Sequence, residues 1–193
     1  AAISNPPGGT WLPDNTIIYA PSAASVLMRI PADGSGKAEP ASTLDRTLNE
    51  ASHRWPQVLP GGNAILYGAG PTVSVRAWIE AHVVVQSLTG NQRHVVEPHG
   101  TYPHFLPSGH LLFTQGGLVY AHKFDPDTLQ TSGDPFPVLE RVSGGGINGG
   151  SVLLATSMSG TIAYVPGIES LTEVVLLDRT GKERVVMPAG TYN

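Results

Sequence analysis

Short apolar runs separated by polar turns make up the hydrophobic pattern of this chain, and the pattern repeats. A Leu-Pro pair ends such a run at Leu12, Leu59 and Leu106, which are separated by two steps of 47 residues. A fourth, more degenerate copy places Thr156 in the leucine position, a step of 50. Each copy continues into a turn rich in Pro, Gly, Asn, Asp and Ser, the residues that tight turns favour. A fixed internal period of this length predicts a repeat architecture.

Each repeat contains four short segments with β-strand character. The turn is followed by a strand rich in β-branched and aromatic residues, written TIIYA, AILYG, LLFTQ and TIAYV in the four copies. Later strands such as HVVE, FPVLE and RVVMP complete the units, and no segment of ten residues has helical periodicity. Four strands in a repeat of about 40 to 50 residues are typical of a β-propeller blade. We therefore predict an all-β fold, a β-propeller built from four four-stranded antiparallel blades, because a β-sandwich has no reason to keep a fixed register.

The repeat boundaries divide the chain into blades. We expect one propeller domain over residues 1–193, with blades at about 8–52, 53–98, 99–142 and 143–189. Residues 190–193 open a fifth repeat, because GTY at 190–192 matches GTY at 100–102. We therefore expect a segment of a larger propeller. An exposed blade face at each end also favours a homodimer in which two chains complete one eight-bladed ring.

Composition agrees with strands and turns, and it limits the function classes. Gly 23 and Pro 17 form about a fifth of the chain, whereas charged residues are only 13%. The net charge of −4, with dispersed Lys and Arg, argues against a nucleic-acid surface. No apolar run approaches the ~18 residues of a membrane span, and the first residues, AAISNPPGG, are not a signal peptide. Because cysteine is absent, the chain has neither disulfides nor thiolate chemistry.

Four stretches carry a family resemblance: SHRWPQVLPGGNAILY, LPSGHLLF, FDPDTLQTSGDPFPVLE and SGTIAYVPG. They resemble the TolB-like propeller repeats that are fused to membrane-anchored bacterial serine/threonine kinases, and the resemblance covers nearly the whole chain. It implies a bacterial, extracytoplasmic sensing or protein-interaction platform, usually with six or more blades. Neither a Gly-rich phosphate loop nor an HRD-type catalytic loop is present, so the resemblance implies no kinase activity.

In a propeller, the loops between blades and those between the second and third strands gather on one face around the central channel. Here these loops are Thr43–Arg54, Pro98–Tyr102, Ser143–Gly150 and a Gly70–Ala81 insertion in the second repeat. Loops that vary on a repeated scaffold are where function concentrates. The candidate ligand-binding residues in or beside these loops are Arg54, Trp55, Trp78 and Tyr102. Packing between blades is the alternative role for Trp55 and Tyr102.

Three histidines near the expected channel mouth are candidate metal ligands. His53 and His104 lie in or beside inner strands, and His99 lies in the connection into the third blade. Three imidazoles with an open fourth position would suit Zn²⁺, which activates bound water for hydrolysis. Glu50 would then orient a ligand or act as a general base. The spacings match no dedicated zinc motif, and a structural hydrogen-bonding role for His53 stays open.

Two function classes follow from these observations. The first is a non-catalytic platform that binds a small-molecule or protein ligand, as the resemblance implies. The alternative is a metal-dependent hydrolase of small esters, lactones or phosphotriesters that uses the channel-mouth histidines, since other propellers host such chemistry. Neither a G-x-S-x-G elbow nor a Ser/His/Asp arrangement is apparent in the sequence.

Overall fold

The computed structural model describes residues 7–71, 78, 80–140, 142–144, 151–157, 159–167 and 172–190. These residues form sixteen strands, which are β1 (Gly9–Trp11), β2 (Thr16–Tyr19), β3 (Met28–Pro31), β4 (Glu39–Pro40), β5 (Ser52–Val58), β6 (Ala64–Gly70), β7 (His82–Ser87), β8 (Arg93–Glu97), β9 (Thr101–Leu106), β10 (His110–Gln115), β11 (Leu118–Asp125), β12 (Gln130–Leu139), β13 (Leu154–Thr156), β14 (Ile162–Tyr164), β15 (Thr172–Leu177) and β16 (Glu183–Gly190). A short 3-10 helix, η1 (Arg46–Leu48), lies between β4 and β5. Among the described residues no helix is long and apolar enough to cross a membrane.

Three four-stranded antiparallel sheets form the body of the molecule. Sheet 1 has the strand order β1-β2-β3-β4, sheet 2 has β5-β6-β7-β8, and sheet 3 has β9-β10-β11-β12. Each sheet is therefore a meander of consecutive strands, as a propeller blade requires. The all-β class and the four-stranded organisation predicted for the first three repeats are confirmed.

The fourth repeat differs from the predicted four-stranded blade. In the described part of the chain its strands form two separate two-stranded sheets, β13-β14 and β15-β16. β13 is held against sheet 3 because Leu154 packs in an apolar core there. The apolar residues 174–177 of β15 are instead 38% to 66% exposed. Apolar packing therefore anchors the first half of this repeat and not the second.

A backbone turn marks the same point of every repeat. In each of the first three, the amide three residues after the repeat leucine donates to the leucine carbonyl, with N···O distances of 3.0 to 3.1 Å. The donors are Asn15, Gly62 and Gly109, at φ of 62°, 76° and 76°. This is the left-handed region that Asn and Gly tolerate, which explains the turn composition read from the sequence.

The same turn corrects the alignment of the fourth repeat. Gly160, at φ of 85°, donates its amide hydrogen to the carbonyl of Ser157. Ser157 rather than Thr156 therefore occupies the leucine position, and the last step is 51 residues rather than 50. The backbone hydrogen bond thus places the repeat position one residue later than the degenerate sequence indicated.

The inner strands lie side by side, with β1 against β5 and β5 against β9. The backbone amide of Val58 donates to Thr10 Oγ1 at 3.1 Å. One repeat later Gln57 makes a double link to Phe105: the amide of Phe105 donates to Oε1 at 2.5 Å, and Nε2 donates to the carbonyl at 3.3 Å. Thr10 and Gln57 lie at one repeat position, and His104 is the third member. Its first two members, Thr10 and Gln57, link β1 to β5 and β5 to β9.

Apolar clusters fill the space between consecutive sheets. Sheets 1 and 2 share a core that includes Leu12, Ile18, Ile65, Tyr67 and Val84. Sheets 2 and 3 share a core that includes Leu59, Val83, Val85, Phe105, Leu111 and Phe113. A third cluster joins sheet 3 to β13 and includes Leu106, Leu112, Val119 and Leu154. Sheets 2 and 3 thus bury both faces, which is why their central strands are continuous apolar runs rather than alternating ones.

Candidate functional site

The carboxylate of Glu50 is fully buried where the chain enters sheet 2, and four donors surround it. Oε2 accepts from the backbone amide of Asp45 at 2.7 Å and from His53 Nε2 at 3.0 Å. Oε1 accepts from His82 Nε2 at 2.7 Å and from the guanidinium of Arg93. These donors come from the loop before η1 and from β5, β7 and β8. Glu50 therefore ties the sheet 1–sheet 2 connection to three strands of sheet 2.

The proton positions around His53 follow from its partners. A carboxylate only accepts, so the Nε2 atom of His53 carries the proton that is donated to Glu50. Burial lowers the pKa of His53, so the ring is neutral and Nδ1 is an acceptor. Ser42 Oγ donates to Nδ1 at 2.7 Å and accepts from the amide of Leu27 at 2.9 Å. Three hydrogen bonds in series therefore run from the amide of Leu27, beside sheet 1, through Ser42 and His53 to Glu50.

The ionisation of Glu50 is set by two opposing effects. Burial by itself raises the pKa of this carboxyl, because the charged form is removed from water. The hydrogen bonds from His53, His82, the Asp45 amide and Arg93 reverse this and hold the pKa well below its ordinary value. Glu50 is consequently an anion, and both of its carboxylate oxygens accept hydrogen bonds from other groups of the protein. The catalytic role of Glu50 stays a prediction. Its hydrogen bonds favour a structural role, in which Glu50 joins the loop before η1 to strands of sheet 2. We call this set of hydrogen bonds the Glu50 latch.

The fold brings together a Ser42–His53–Glu50 arrangement that the sequence analysis did not anticipate. The three residues lie within a stretch of twelve residues, but no motif marks them. Ser42 is 5% exposed and His53 is 0% exposed. Both are engaged as described above, so the arrangement links sheet 1 to sheet 2 rather than presenting a nucleophile. Its other partners, His82 and Arg93, come from strands far along the chain, and only folding reveals them.

A second buried carboxylate–imidazole pair joins sheets 2 and 3. Glu97 lies 47 residues after Glu50, one repeat later, at the end of β8. Its Oε1 contacts Nδ1 of His122 in β11, while Nε2 of His122 donates to the carbonyl of Gly133 at 3.0 Å. Burial raises the pKa of Glu97. Two consecutive sheet junctions are thus fastened by a glutamate and a histidine.

The three predicted metal ligands are in different environments. Both ring nitrogens of His53 are hydrogen bonded, and His99 is exposed just beyond the end of β8. His104 Nε2 is buried without a hydrogen-bond partner. No three His, Cys, Asp or Glu side chains of the described residues are grouped to hold a metal ion. In this arrangement the histidines do not fit a resident metal, and the zinc site stays a prediction.

The backbone of the inner strands repeats an unusual conformation every 47 residues. Gly8, Trp55 and Tyr102 have φ of 98°, 53° and 53°. At the last two the strand register shifts, because two residues oppose one on the neighbouring strand. This is a β-bulge whose first residue is left-handed, a position where glycine is usual. The second and third repeats instead place a tryptophan and a tyrosine there, each followed by a proline.

These bulges assemble a row of aromatic rings. The ring centroids of Trp55 and Trp78 are 5.1 Å apart, those of Trp55 and Tyr102 are 5.5 Å apart, and those of Tyr102 and His104 are 4.7 Å apart. The guanidinium of Arg54 lies 4.0 Å from the ring centre of Trp78, a cation–π contact. We call Trp78, Trp55, Tyr102 and His104 the aromatic row. It contains three of the four predicted ligand-binding residues, and the fourth is stacked on it.

Access to the aromatic row differs along its length. Trp78 is 1% exposed and Arg54 is 5% exposed, whereas Trp55 and Tyr102 are half-buried. Arg54 donates to Ser52 Oγ at 3.1 Å and to the carbonyl of Ala23 at 2.9 Å, and burial lowers its pKa to about 10. The rings of Trp55 and Tyr102 are therefore the accessible part. Residues 72–77, 79 and 145–150 of the predicted functional loops lie outside the described residues.

Comparison with solved structures places this chain among β-propellers. It is similar to TolB from Acinetobacter baumannii, with a TM-score of 0.55 and 19% identity over 94% of this chain. It is also similar to a gluconolactonase from Xanthomonas campestris (TM-score 0.58, 13% identity, 95% of this chain) and to a streptogramin B lyase (0.51, 16%, 96%). The chain spans 43%, 62% and 55% of those three proteins, respectively. Identities this low show a shared fold alone.

No protein-family model matches the chain, and no curated protein sequence matches it. The structural likeness confirms the TolB-like propeller fold that the sequence indicated. The kinase context implied by the resemblance stays a prediction.

We expect the stability of the protein to fall as the pH drops from about 6.5 to about 4, partly through His104. Burial lowers the pKa of His104 to about 4. The unfolded imidazole takes a proton below about 6.5, so the unfolded state gains protons first and stability is lost across that interval. His104→Gln, which copies Gln57 one repeat earlier, should reduce this loss. Melting temperatures measured from about pH 8 to about pH 4 check it.

The matched control is His94→Gln, because His94 is exposed in β8. It should leave the pH dependence of the melting temperature unchanged. An equal slope in wild type and His104→Gln would show that the buried imidazole does not contribute.

Proposed function

We propose that the chain is a non-catalytic propeller platform that binds a small molecule or an extended protein segment at the aromatic row. The observation that carries the proposal is the left-handed conformation of Trp55 and Tyr102. A non-glycine residue in this region costs about 1–2 kcal/mol, and the equivalent residue of the first repeat is Gly8. Conformations of this kind cluster at ligand sites, where they position side chains. Two large rings are thus directed into one row at an energetic cost.

The chemistry of the row defines the expected ligand. The half-buried indole and phenol rings of Trp55 and Tyr102 offer flat apolar surface, and the phenol oxygen donates to the carbonyl of Leu154 at 3.3 Å. Partly exposed Trp and Tyr are common anchors in binding sites, because they bury much area with few rotatable bonds. A ligand with a planar or apolar moiety fits this surface. Glu50 and His53 are engaged in hydrogen bonds within the protein, which favours binding rather than hydrolysis.

The test is a binding screen with an internal reference. Aromatic small molecules and an array of extended peptides are titrated into the protein, and tryptophan fluorescence is recorded. For a ligand that binds, Trp55→Leu should weaken the affinity by about tenfold or more. Tyr164→Leu, at a 43% exposed tyrosine outside the row, should not. Ligands that bind equally well to the Trp55→Leu variant would place the site elsewhere.

We further propose that the platform works outside the bacterial cytoplasm, as part of a ring with more than four sheets. The likeness to TolB and the sequence resemblance to kinase-linked propeller repeats support this proposal. Protease treatment of cells whose outer membrane has been permeabilised, compared with fully lysed cells, checks the location. A protein protected until lysis would contradict it.

A metal-dependent hydrolase of small esters, lactones or phosphotriesters is the second candidate. Two observations favour it: His104 Nε2 is buried without a hydrogen-bond partner, and the fold resembles that of a gluconolactonase. Metal content of the purified chain, with lactone, ester and phosphotriester turnover before and after chelation, decides between the candidates. One bound metal per chain with chelator-sensitive turnover would replace the binding platform by the hydrolase.

A further inference from the structure

One face of sheet 1 is equivalent, by repeat position, to faces that sheets 2 and 3 bury. Trp11, Val58 and Phe105 each lie one residue before the repeat leucine. Val58 packs against the core shared with sheet 1, and Phe105 is 7% exposed in the core shared with sheet 2. Each of these two residues therefore faces the preceding sheet. Trp11 lies on the corresponding face of sheet 1, where it is 60% exposed.

The exposed face extends across three strands of sheet 1. Trp11 is directly opposite Ile17, and Ile17 is directly opposite Ile30, so the three side chains share one face. The residues equivalent to Ile17 are Ile65, opposite Val58, and Leu111, opposite Phe105. Both are 0% exposed, whereas Ile17 is only partly buried. We call Trp11, Ile17 and Ile30 the sheet 1 row.

At the other end of the repeat series, the β15–β16 hairpin presents apolar side chains on both of its faces. Successive side chains of a strand point to opposite faces, so the four consecutive apolar residues of β15 place two on each face. Strands of this composition are normally buried on both sides. The exposed apolar residues, at 38% to 66%, are Val174, Val175, Leu176, Leu177, Val185, Val186 and Met187. A stable monomer rarely leaves a continuous surface of this kind in water.

We propose that the β15–β16 hairpin of one chain covers the sheet 1 row of a second copy of the same chain. The contact would resemble the interfaces between sheets 1 and 2 and between sheets 2 and 3. In those interfaces the preceding sheet packs an apolar face on the following sheet, on the face that carries the residue before the repeat leucine. Each copy supplies one row and one hairpin. A head-to-tail contact used twice closes into a two-fold ring and leaves neither surface open. The partner is therefore a second copy of the chain, because the two surfaces would pack through the same apolar contacts between sheets that the chain uses internally.

The first test is the mass of the protein in solution by light scattering at micromolar concentration. Two copies of 20.2 kDa give about 40 kDa. Trp11→Asp places a charge in the row, and Leu176→Asp places one in the hairpin; each should return the mass to 20.2 kDa. Val95→Asp is the matched control, because Val95 is 39% exposed in β8 and belongs to neither surface. It should remain a dimer.

The second test is complementation between the two monomeric variants. When Trp11→Asp and Leu176→Asp proteins are mixed, the intact hairpin of the first can still cover the intact row of the second. Part of the mixture should therefore return to about 40 kDa, which also shows that both variants are folded. A wild-type mass of 20.2 kDa would overturn the proposal. So would a dimer that survives Leu176→Asp, or a mixture in which no dimer forms.

Discussion

Replacing Glu50 by Gln should destabilise the protein by about 3 to 5 kcal/mol, since removing one member of a buried ionic network leaves the others uncompensated. The substitution keeps the size of the side chain and removes its charge. His53, His82 and Arg93 then lose a shared anion, and one carboxylate acceptor becomes an amide donor that faces other donors. The free energy of unfolding, measured by urea titration near neutral pH, checks this.

Glu39→Gln is the matched control for Glu50→Gln. Glu39 pairs with Arg29 at 3.1 Å, but the two side chains are 65% and 54% exposed. Exposed pairs contribute about 0 to 1 kcal/mol, so this variant should be nearly as stable as wild type. If Glu50→Gln lost no more stability than Glu39→Gln, the latch between sheets 1 and 2 would be disproved.

The Glu50 latch also predicts a direction for the acid response. Because the pKa of Glu50 is held below its ordinary value, the carboxylate contributes stability above its unfolded pKa of about 4.3. That contribution is lost as the pH falls below this value towards the folded pKa. The Glu50→Gln variant lacks the group and should lose less stability than wild type below about pH 4.3. Urea titrations at several acidic pH values would show the difference, and parallel curves would contradict it.

Trp55→Ala should cost about 3 kcal/mol, and Trp55→Gly should cost about 1 kcal/mol less. The first loss reflects the contacts with Trp78 and Tyr102. The second difference reverses the usual order in strands, where glycine is the worse residue. It arises because residue 55 has a φ of 53°, which glycine adopts freely and alanine does not. Equilibrium unfolding of the two variants gives the difference directly.

The same pair of substitutions at Phe136 provides the control. Phe136 is 49% exposed in β12 and is not among the residues with positive φ. Phe136→Gly should therefore be less stable than Phe136→Ala, by about 0.5 to 1 kcal/mol. If position 55 showed this ordinary order, the left-handed bulge would be wrong, and with it the main support for the aromatic row as a ligand site.

Much of the fold follows from the sequence because its signals are local. Each turn is specified by neighbouring residues, as in Pro60-Gly61-Gly62. Gly62, in the left-handed conformation, closes this turn by donating its amide hydrogen to the carbonyl of Leu59. The 47-residue period then multiplies this local signal, so the three sheets and their order were predictable. The same logic placed Arg54, Trp55 and Tyr102 near one another, because inner strands of consecutive blades must be adjacent.

The partners of Glu50 were not predictable in this way. His82 and Arg93 lie 32 and 43 residues further along the chain, in strands whose sequences look like ordinary β-strands. A hydrogen bond depends on side-chain direction and distance to within a fraction of an ångström, and a residue pattern carries neither. The sequence likewise did not show that both ring nitrogens of His53 are hydrogen bonded, to Ser42 and to Glu50.

The sequence by itself determined the repeat, the strand order within the first three sheets and the region where aromatic residues meet, because periodicity and turn chemistry act over a few residues. Only the tertiary structure decided that Trp55 and Tyr102 stand in left-handed bulges, that Ser157 holds the repeat position and that the second half of the fourth repeat forms its own hairpin. These features depend on how whole sheets pack. A side chain's conformation and burial are fixed by neighbours from other repeats, which no local pattern specifies.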